Sequence, residues 1–438
     1  MDAYTTNEPI YALATAYAPS AIAIVRLSGD GVIDLLSSVF DRPEKLKRAK
    51  TNTLVYGNLI DKQNSIVDEV MVAVFTKGHG YTGEEALEIN AHGSLTGLKR
   101  IFLLLESIGI RQAKRGEFTF RAFMHGRLDL TQAEAVEELI SSKSIRGQEA
   151  ALERLEGGLK KRLLAIKNKL VNILASLEVQ LDYAEDEILE DWVMPKSEIN
   201  EIISNLDEIV KTYSAGTIYR EGAKIVLAGA ANAGKSSLFN LLTKENRAIV
   251  SPIAGTTRDY IESFTTIHDI PVRLFDTAGL RDSDDLIESE GIKRSEKLIN
   301  EADLVLLLLA PGEKEEITWK TKTIVVRTKS DLEKGEGLAI STVNGEGISL
   351  LLDSIYQELS SKSGESELGA ISIDSERQRD GLVRLVEMLK FILVNENESV
   401  DILALFFQSA LSILGEITGE VTNEELLDTL FSNFCLGK

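Results

Sequence analysis

The run Gly229-Ala230-Ala231-Asn232-Ala233-Gly234-Lys235-Ser236 constrains this chain more than any other feature. It has two glycines separated by four residues and followed by Lys-Ser, between an apolar run (Lys224–Ala228) and a helix-like run (Ser237–Leu242). That order predicts a strand, a phosphate-binding loop and a helix. The glycines let successive backbone N–H groups curl around phosphate oxygens, and the helix N-terminus adds positive potential. Lys235 would reach the outer phosphates, and Ser236 would offer its hydroxyl to Mg²⁺. The nucleotide-binding stretch is Asn232, Ala233, Gly234, Lys235, Ser236 and Ser237.

Two further motifs close apolar strands in the right order. Asp276-Thr277-Ala278-Gly279 ends Val272–Phe275; an Asp there holds Mg²⁺ through its water shell, and the Gly279 amide can meet the γ-phosphate. Thr328-Lys329-Ser330-Asp331 ends Lys322–Arg327. Asp331 can accept from both the ring N–H and the exocyclic amine of guanine, a donor pair that adenine lacks, and Lys329 would lay its stem across the ring. Thr328 occupies a position where Asn is usual, which removes an amide contact. Together the motifs read as a guanine-nucleotide hydrolase. Leu280 stands where many GTP switches carry a water-orienting Gln. Help with hydrolysis is therefore expected from elsewhere: an amide oxygen of Asn232 holding a monovalent cation, or one of the carboxylates Asp282, Asp284, Asp285, Glu288 and Glu290. In Gly255-Thr256-Thr257-Arg258-Asp259, a Thr lies at switch-loop distance and can ligate Mg²⁺.

A chain of 438 residues is too long for one core and suggests two or three domains. Residues 1–119 read as a compact α+β domain, 120–215 with 372–438 as a helical domain, and 216–371 as an inserted nucleotide domain. Thr131-x-x-Glu134 reads as a capping box opening a helix to about Ser142. The Lys/Glu faces of Ile145–Val193 read as solvated helix surface, and Gly216 and Gly222 as breaks before the strands. The expected fold class is multidomain α/β, the inserted domain being a mainly parallel sheet with helices on both faces. A net charge of −21 argues against a chain that coats nucleic acid unaided. The single cysteine, Cys435, excludes an intrachain disulfide. No basic leader is evident, and no apolar stretch approaches a membrane span of about 20 residues. The expected location is a reducing cytoplasm, away from membranes. The four histidines are scattered, which disfavours a zinc site.

More specific runs lie at both ends of the chain: Ile24-Val25-Arg26-Leu27-Ser28-Gly29, Tyr81-Thr82-Gly83-Glu84-Glu85, Ala91-His92-Gly93, Arg115-Gly116-Glu117-Phe118-Thr119, Leu128–Ala135 and Phe434-Cys435-Leu436-Gly437-Lys438. With the nucleotide motifs, they make the chain resemble, over its full length, the MnmE (TrmE) family of tRNA-modification GTPases. The resemblance implies a folate-binding, homodimerising N-terminal domain, with Arg26, Glu88, Arg127 and Lys438 contacting a 5-formyltetrahydrofolate-type ligand and Cys435 near that pocket. The family usually has Lys at the position of Arg127. The resemblance assigns K⁺ to Asn232, Ser251, Ile253 and Thr256, Mg²⁺ to Ser236 and Thr257, and water positioning to Glu288. The loop Ser251, Pro252, Ile253, Ala254, Gly255 and Thr256 joins the GTP contacts, and Ser341, Thr342 and Val343 close over guanine. It also implies a potassium-activated GTPase acting with the flavoprotein MnmG, which carries the tRNA, on the C5 position of a wobble uridine. A ribosome-assembly GTPase would show a basic RNA-binding module, and a folate transferase with a vestigial GTPase would show damaged nucleotide motifs. The sequence shows neither.

Overall fold

Two sheets and a set of long helices make up the computed structural model, which describes Tyr4 and residues 8–182, 192–245, 261–276, 296–315, 317, 319–333, 336–363, 372–422, 424–434 and 437. By contact the chain divides into two units, Met1–Glu137 with Ser412–Lys438, and Glu138–Leu411.

The first unit opens with β1 (Ile10–Leu13), β2 (Ser20–Ser28), α1 (Val32–Ser37), α2 (Pro43–Lys47), β3 (Thr53–Ile60), β4 (Ile66–Phe75) and β5 (Ala86–Gly93). Then come α3 (Leu95–Ser107), β6 (Arg111–Gln112), α4 (Glu117–Met124) and α5 (Leu130–Ser141). The strands form one sheet in the order β3-β4-β5-β2-β1-β6. Alternate positions bury Val25, Leu27, Val72, Val74, Leu87 and Ile89 in one core with Leu98, Ile101 and Leu105 of α3. That is the two-residue period of a half-buried strand meeting the 3.6-residue period of a helix. The short helices α1, α2 and α4 were not legible in the sequence, because five to eight residues carry too little periodicity. The capping box sits two residues earlier than expected. The Gln132 amide donates to Asp129 Oδ1 at 2.8 Å, and the Asp129 amide donates to Gln132 Oε1 at 3.1 Å.

Helices continue with α6 (Ile145–Leu155), α7 (Gly158–Asp182), α8 (Lys196–Lys211) and α9 (Tyr213–Glu221). Gly216 lies inside α9 and is no break: a Cβ there would meet the Ile373 carbonyl oxygen at 2.2 Å, so glycine is required by close approach. Nor are all helix charges solvated. Arg154 on α6 is buried, and its guanidinium contacts Glu138 on α5 at 2.5 Å and Asp374 at 3.2 Å.

The second sheet and its helices follow as β7 (Ala223–Ala228), α10 (Lys235–Glu245), β8 (Ile261–Ile267), β9 (Ile270–Asp276), β10 (Leu304–Leu309), β11 (Thr323–Arg327) and α12 (Ile348–Ser363). Its strand order is β11-β10-β7-β9-β8, with only the β8–β9 pair antiparallel. β10 is buried along its length, as expected of a central parallel strand covered on both faces. The fold class is therefore as the sequence implied: α+β, helical, and mainly parallel α/β.

Three helices close the chain: α13 (Glu376–Val394), α14 (Val400–Thr418) and α15 (Glu424–Ser432). Ser412–Lys438 group with the N-terminal residues, and Phe431 packs edge-on against Phe120 at 5.5 Å. α14 corrects one reading. It is 19 residues long and an 18-residue window of it has a mean hydropathy of 1.6, so by length and composition alone it could cross a membrane. Leu403, Ala404, Phe407, Ala410, Leu414 and Ile417 are buried at helical spacing, the pattern of a core-facing stripe.

Candidate functional site

Parallel pairing brings the carboxyl ends of β7, β9, β10 and β11 to one edge of the second sheet, where open α/β sheets bind ligands. β7 runs into the Gly229–Gly234 loop, and α10 starts at Lys235. Gly229 has φ 139°, and a Cβ there would lie 2.3 Å from the Leu308 carbonyl oxygen. Only glycine therefore lets the loop leave the sheet beside β10. Asn232 and Gly234 also have positive φ, at 69° and 93°, which curls the loop back on itself. Ala233 is fully buried beneath it.

Lys235 is only 6 % exposed. Its Nζ donates to the carbonyl oxygens of Gly229 at 2.9 Å and Ala230 at 2.7 Å, so the ammonium lies across the mouth of the loop. Ser236 Oγ donates to Asp276 Oδ2 at 3.0 Å, and Asp276 is itself buried at the end of β9. A hydroxyl and a carboxylate held this close form an oxygen donor set suited to a hard divalent cation.

The third motif stands at the end of β11. Thr328 hydrogen-bonds backwards, its amide and its hydroxyl both donating to the Leu309 carbonyl at 2.9 and 3.2 Å. Its hydroxyl is thus engaged with the end of β10. Lys329 takes a left-handed backbone, φ 59°, which turns the chain so that Asp331 faces back toward Ser341. Ser341 Oγ donates to Asp331 Oδ1 at 2.7 Å and accepts from the Val343 amide at 3.2 Å. Ser341 is fully buried, so it can fix the carboxylate's orientation, while Val343 is 84 % exposed. The Ser330 amide, donating to the Ile340 carbonyl at 3.1 Å, ties the two loops together. A carboxylate with one oxygen fixed is a rigid acceptor for a base edge. Asp331→Asn is accordingly expected to lower the preference for GTP over XTP by about 100-fold or more, as a hydrogen-bonding site does when one partner is inverted. Competition binding of the two nucleotides measures it, and an unchanged preference would remove Asp331 from base reading.

The N-terminal candidates lie on the first sheet. β2 and β5 place Arg26 directly opposite Glu88, with Arg26 Nε donating to Glu88 Oε1 at 2.9 Å. Arg26 Nη1 also donates to the Gly437 carbonyl at 3.3 Å, which brings Gly437 beside this pair. The Tyr81 and Phe118 rings lie 5.7 and 5.9 Å from the guanidinium. Both rings belong to runs used above for the resemblance, but their side-chain role emerges only from the fold. Burial pushes the Tyr81 hydroxyl's pKa up, against the lowering effect of Thr119 and Arg26. The loop carrying Tyr81 is fixed from below: Ser28 Oγ donates to Glu84 Oε2 at 2.6 Å, and buried Arg121 reaches both Glu84 and Glu117. Burial pushes the Glu117 carboxyl up, but hydrogen bonds from Arg111 and the Lys114 amide, with the Arg121 charge, hold it below its ordinary value. Arg127 is exposed, with its stem beside Gly83; no hydrogen bond or ion pair among the described residues joins it to Arg26 or Glu88.

Several expected contributors lie outside the described residues: Thr277, Ala278, Gly279, Ser251, Pro252, Ile253, Ala254, Gly255, Thr256, Thr257, Glu288, Cys435 and Lys438.

Residues 130–435 match the family model described as the MnmE helical domain, and residues 9–127 match the one described as the GTP-binding protein TrmE N-terminus. The chain is 40 % identical over 467 aligned residues to the tRNA modification GTPase MnmE of Treponema denticola, covering 99 % of each chain. It is 39 % identical to the protein of the same name from Aquifex aeolicus, over 99 % of this chain and 100 % of that one. For Borreliella burgdorferi the identity is 37 %, over 99 % of both chains.

Proposed function

The chain belongs to the MnmE family of tRNA modification GTPases, and on that premise we propose a potassium-dependent GTP cycle that drives modification of a wobble uridine at C5. GTP hydrolysis itself follows from the family. The observation that carries the finer reading is the convergence of Lys235, Ser236, Asp276 and Asp331 at one sheet edge, with Leu280 in place of a water-orienting Gln.

In this reading Lys235 and the loop amides hold the β- and γ-phosphates, and Asp331 and Lys329 hold guanine. Ser236 and Asp276 fit a magnesium ion by donor type, with Thr257 joining them; the ion would neutralise charge between the outer phosphates. Asn232, with its left-handed backbone, would turn its amide oxygen toward a potassium ion completed by Ser251, Ile253 and Thr256. Glu288 would position the attacking water. Steady-state hydrolysis measured in KCl and in NaCl at equal ionic strength tests this. We expect hydrolysis about 10-fold or more faster in KCl, a fraction of the ~10³–10⁵ that a supplied positive charge is worth at such a centre. Equal rates would remove the potassium mechanism and point to activation by a partner.

The N-terminal site is proposed to bind a reduced folate carrying a one-carbon unit. The Arg26–Glu88 pair offers both charges beside two aromatic rings, chemistry suited to a pterin edge and a carboxylate tail. Arg127 and Lys438 would add cations for the tail, and Cys435 would lie beside the pocket. Homodimerisation is supported by the sheet face of β2, β3 and β4, which leaves Ile22, Leu54, Tyr56 and Met71 between 44 and 60 % exposed. These four share one face by register. The charge of −21 favours a division of labour in which the flavoprotein partner carries the tRNA. The three-domain division at 1–119, 120–215 with 372–438, and 216–371, and a cytoplasmic setting, complete the proposal.

A further inference from the structure

The turn between α5 and α6 touches both the end of α9, which leads into β7, and the β8 strand of the second sheet. Ser144 caps α6 through the Gly147 amide at 3.0 Å. Arg146 donates to the Tyr219 hydroxyl at 3.0 Å, near the end of α9, three residues before Gly222 and four before the start of β7. Lys143 reaches the other way, placing Nζ 3.6 Å from the centroid of the Phe264 ring in β8. Phe264 lies opposite Arg273 on β9, and the Arg273 guanidinium is 5.7 Å from the same ring. Arg273 is tied in turn to Glu262 at 2.8 Å, and its stem borders Gly222. Three residues along the same ribbon, Ile261 lies opposite Asp276, the residue bonded to Ser236 in the nucleotide site. That separation is about 10 Å of strand.

A cation seated on an aromatic face is held only while the ring keeps its place, and Lys143 shares this ring with a second cation. Burial and the Arg273 charge both draw the Lys143 ammonium below its ordinary pKa, while Glu262 and Glu221 oppose them. The contact is therefore sensitive to small movements of the β8–β9 ribbon. Beyond the turn, α6 carries Arg154, which grips both Glu138 on α5 and the returning segment at Ser372 and Asp374.

We propose that Lys143 is a positioning residue that couples the nucleotide site to the helical segments, by holding the α5–α6 turn on Phe264 of the β8–β9 ribbon. A shift of the ribbon at its Asp276 end moves Phe264, and with it the turn, α6 and the Arg154 contacts. The proposal rests on the GTPase reading above. Differential contact of this kind can bias a two-state equilibrium by about 2- to 30-fold, which is the scale of an allosteric coupling.

The test uses the full chain, with amide hydrogen exchange of residues 138–155 and 376–394 followed in GDP and in guanosine imidotriphosphate with Mg²⁺. We expect exchange rates there to differ between the two nucleotides. Lys143→Met, which keeps the stem and removes the charge, should shrink that difference at least 5-fold while GTP affinity and hydrolysis by the isolated chain stay within 2-fold. Lys143→Arg should restore it, which a merely structural role would not require. Phe264→Leu should give the same loss, and the double variant no further loss. A difference of wild-type size in Lys143→Met, additive losses in the double variant, or no nucleotide-dependent difference in the wild type would each overturn the coupling. Absence of GTP binding by the wild type would instead overturn the GTPase reading.

Discussion

Lys235→Ala is expected to lower the rate of GTP hydrolysis by about 10²–10³-fold at saturating nucleotide, the loss seen when one preorganised donor is removed from developing charge. The side chain is nearly buried, and its ammonium bridges two carbonyls of the phosphate loop. From that position it can turn those hydrogen bonds toward the β- and γ-oxygens of a bound nucleotide. Alanine removes the charge and leaves the Gly229 and Ala230 carbonyl dipoles facing an anion. Steady-state phosphate release measures the effect. A rate within 10-fold of the parent would mean that the loop amides, rather than Lys235, carry the phosphate charge.

The largest stability effect is expected away from the nucleotide. Arg154→Met should destabilise the Glu138–Leu411 unit by about 3–5 kcal/mol, the usual loss when one partner of a buried ion pair is deleted. The guanidinium lies between two carboxylates that are themselves buried, Glu138 and Asp374, and also donates to the Ser372 carbonyl. Methionine fills much of the volume but leaves two buried carboxylates without the guanidinium that lies between them. Urea unfolding monitored by far-UV circular dichroism would register the change as a lower midpoint. The triple change Arg154→Met, Glu138→Gln and Asp374→Asn should recover most of the loss, because no uncompensated charge remains. An unshifted midpoint for Arg154→Met alone would show that the cluster is effectively solvated.

The phosphate loop could be read from the sequence because its chemistry leaves few alternatives: Gly229 must pass close to Leu308, and Gly234 must take a positive φ. The strands on either side were legible for a similar reason, since a buried parallel strand such as Leu304–Leu309 has to be apolar throughout. Arg154 was not legible. It looks like any other basic residue on a helix, and what buries it is a segment 218 residues further on. The start of α5 shows a finer limit. Both Asp129/Gln132 and Thr131/Glu134 satisfy the capping pattern, and the hydrogen bonds select the first pair. The Arg26–Glu88 contact depends on β2 and β5 lying side by side although two strands separate them in the chain. Composition and spacing cannot supply that register. The resemblance named both residues without revealing that they pair with each other.

The close meeting of α9 with the returning segment has an engineering consequence. Gly216 lies against the Ile373 carbonyl, and Thr212 Oγ1 accepts from the Ile373 amide at 3.1 Å, so the two cut points of the proposed 216–371 domain are already in contact. Joining them directly would close a loop of only a few residues, where the entropy cost hardly differs from that of an ordinary turn. Under the proposed division, residues 216–371 would thus be a cassette. It can be excised, or exchanged for another domain whose own termini lie together, with the helices on either side keeping their neighbours.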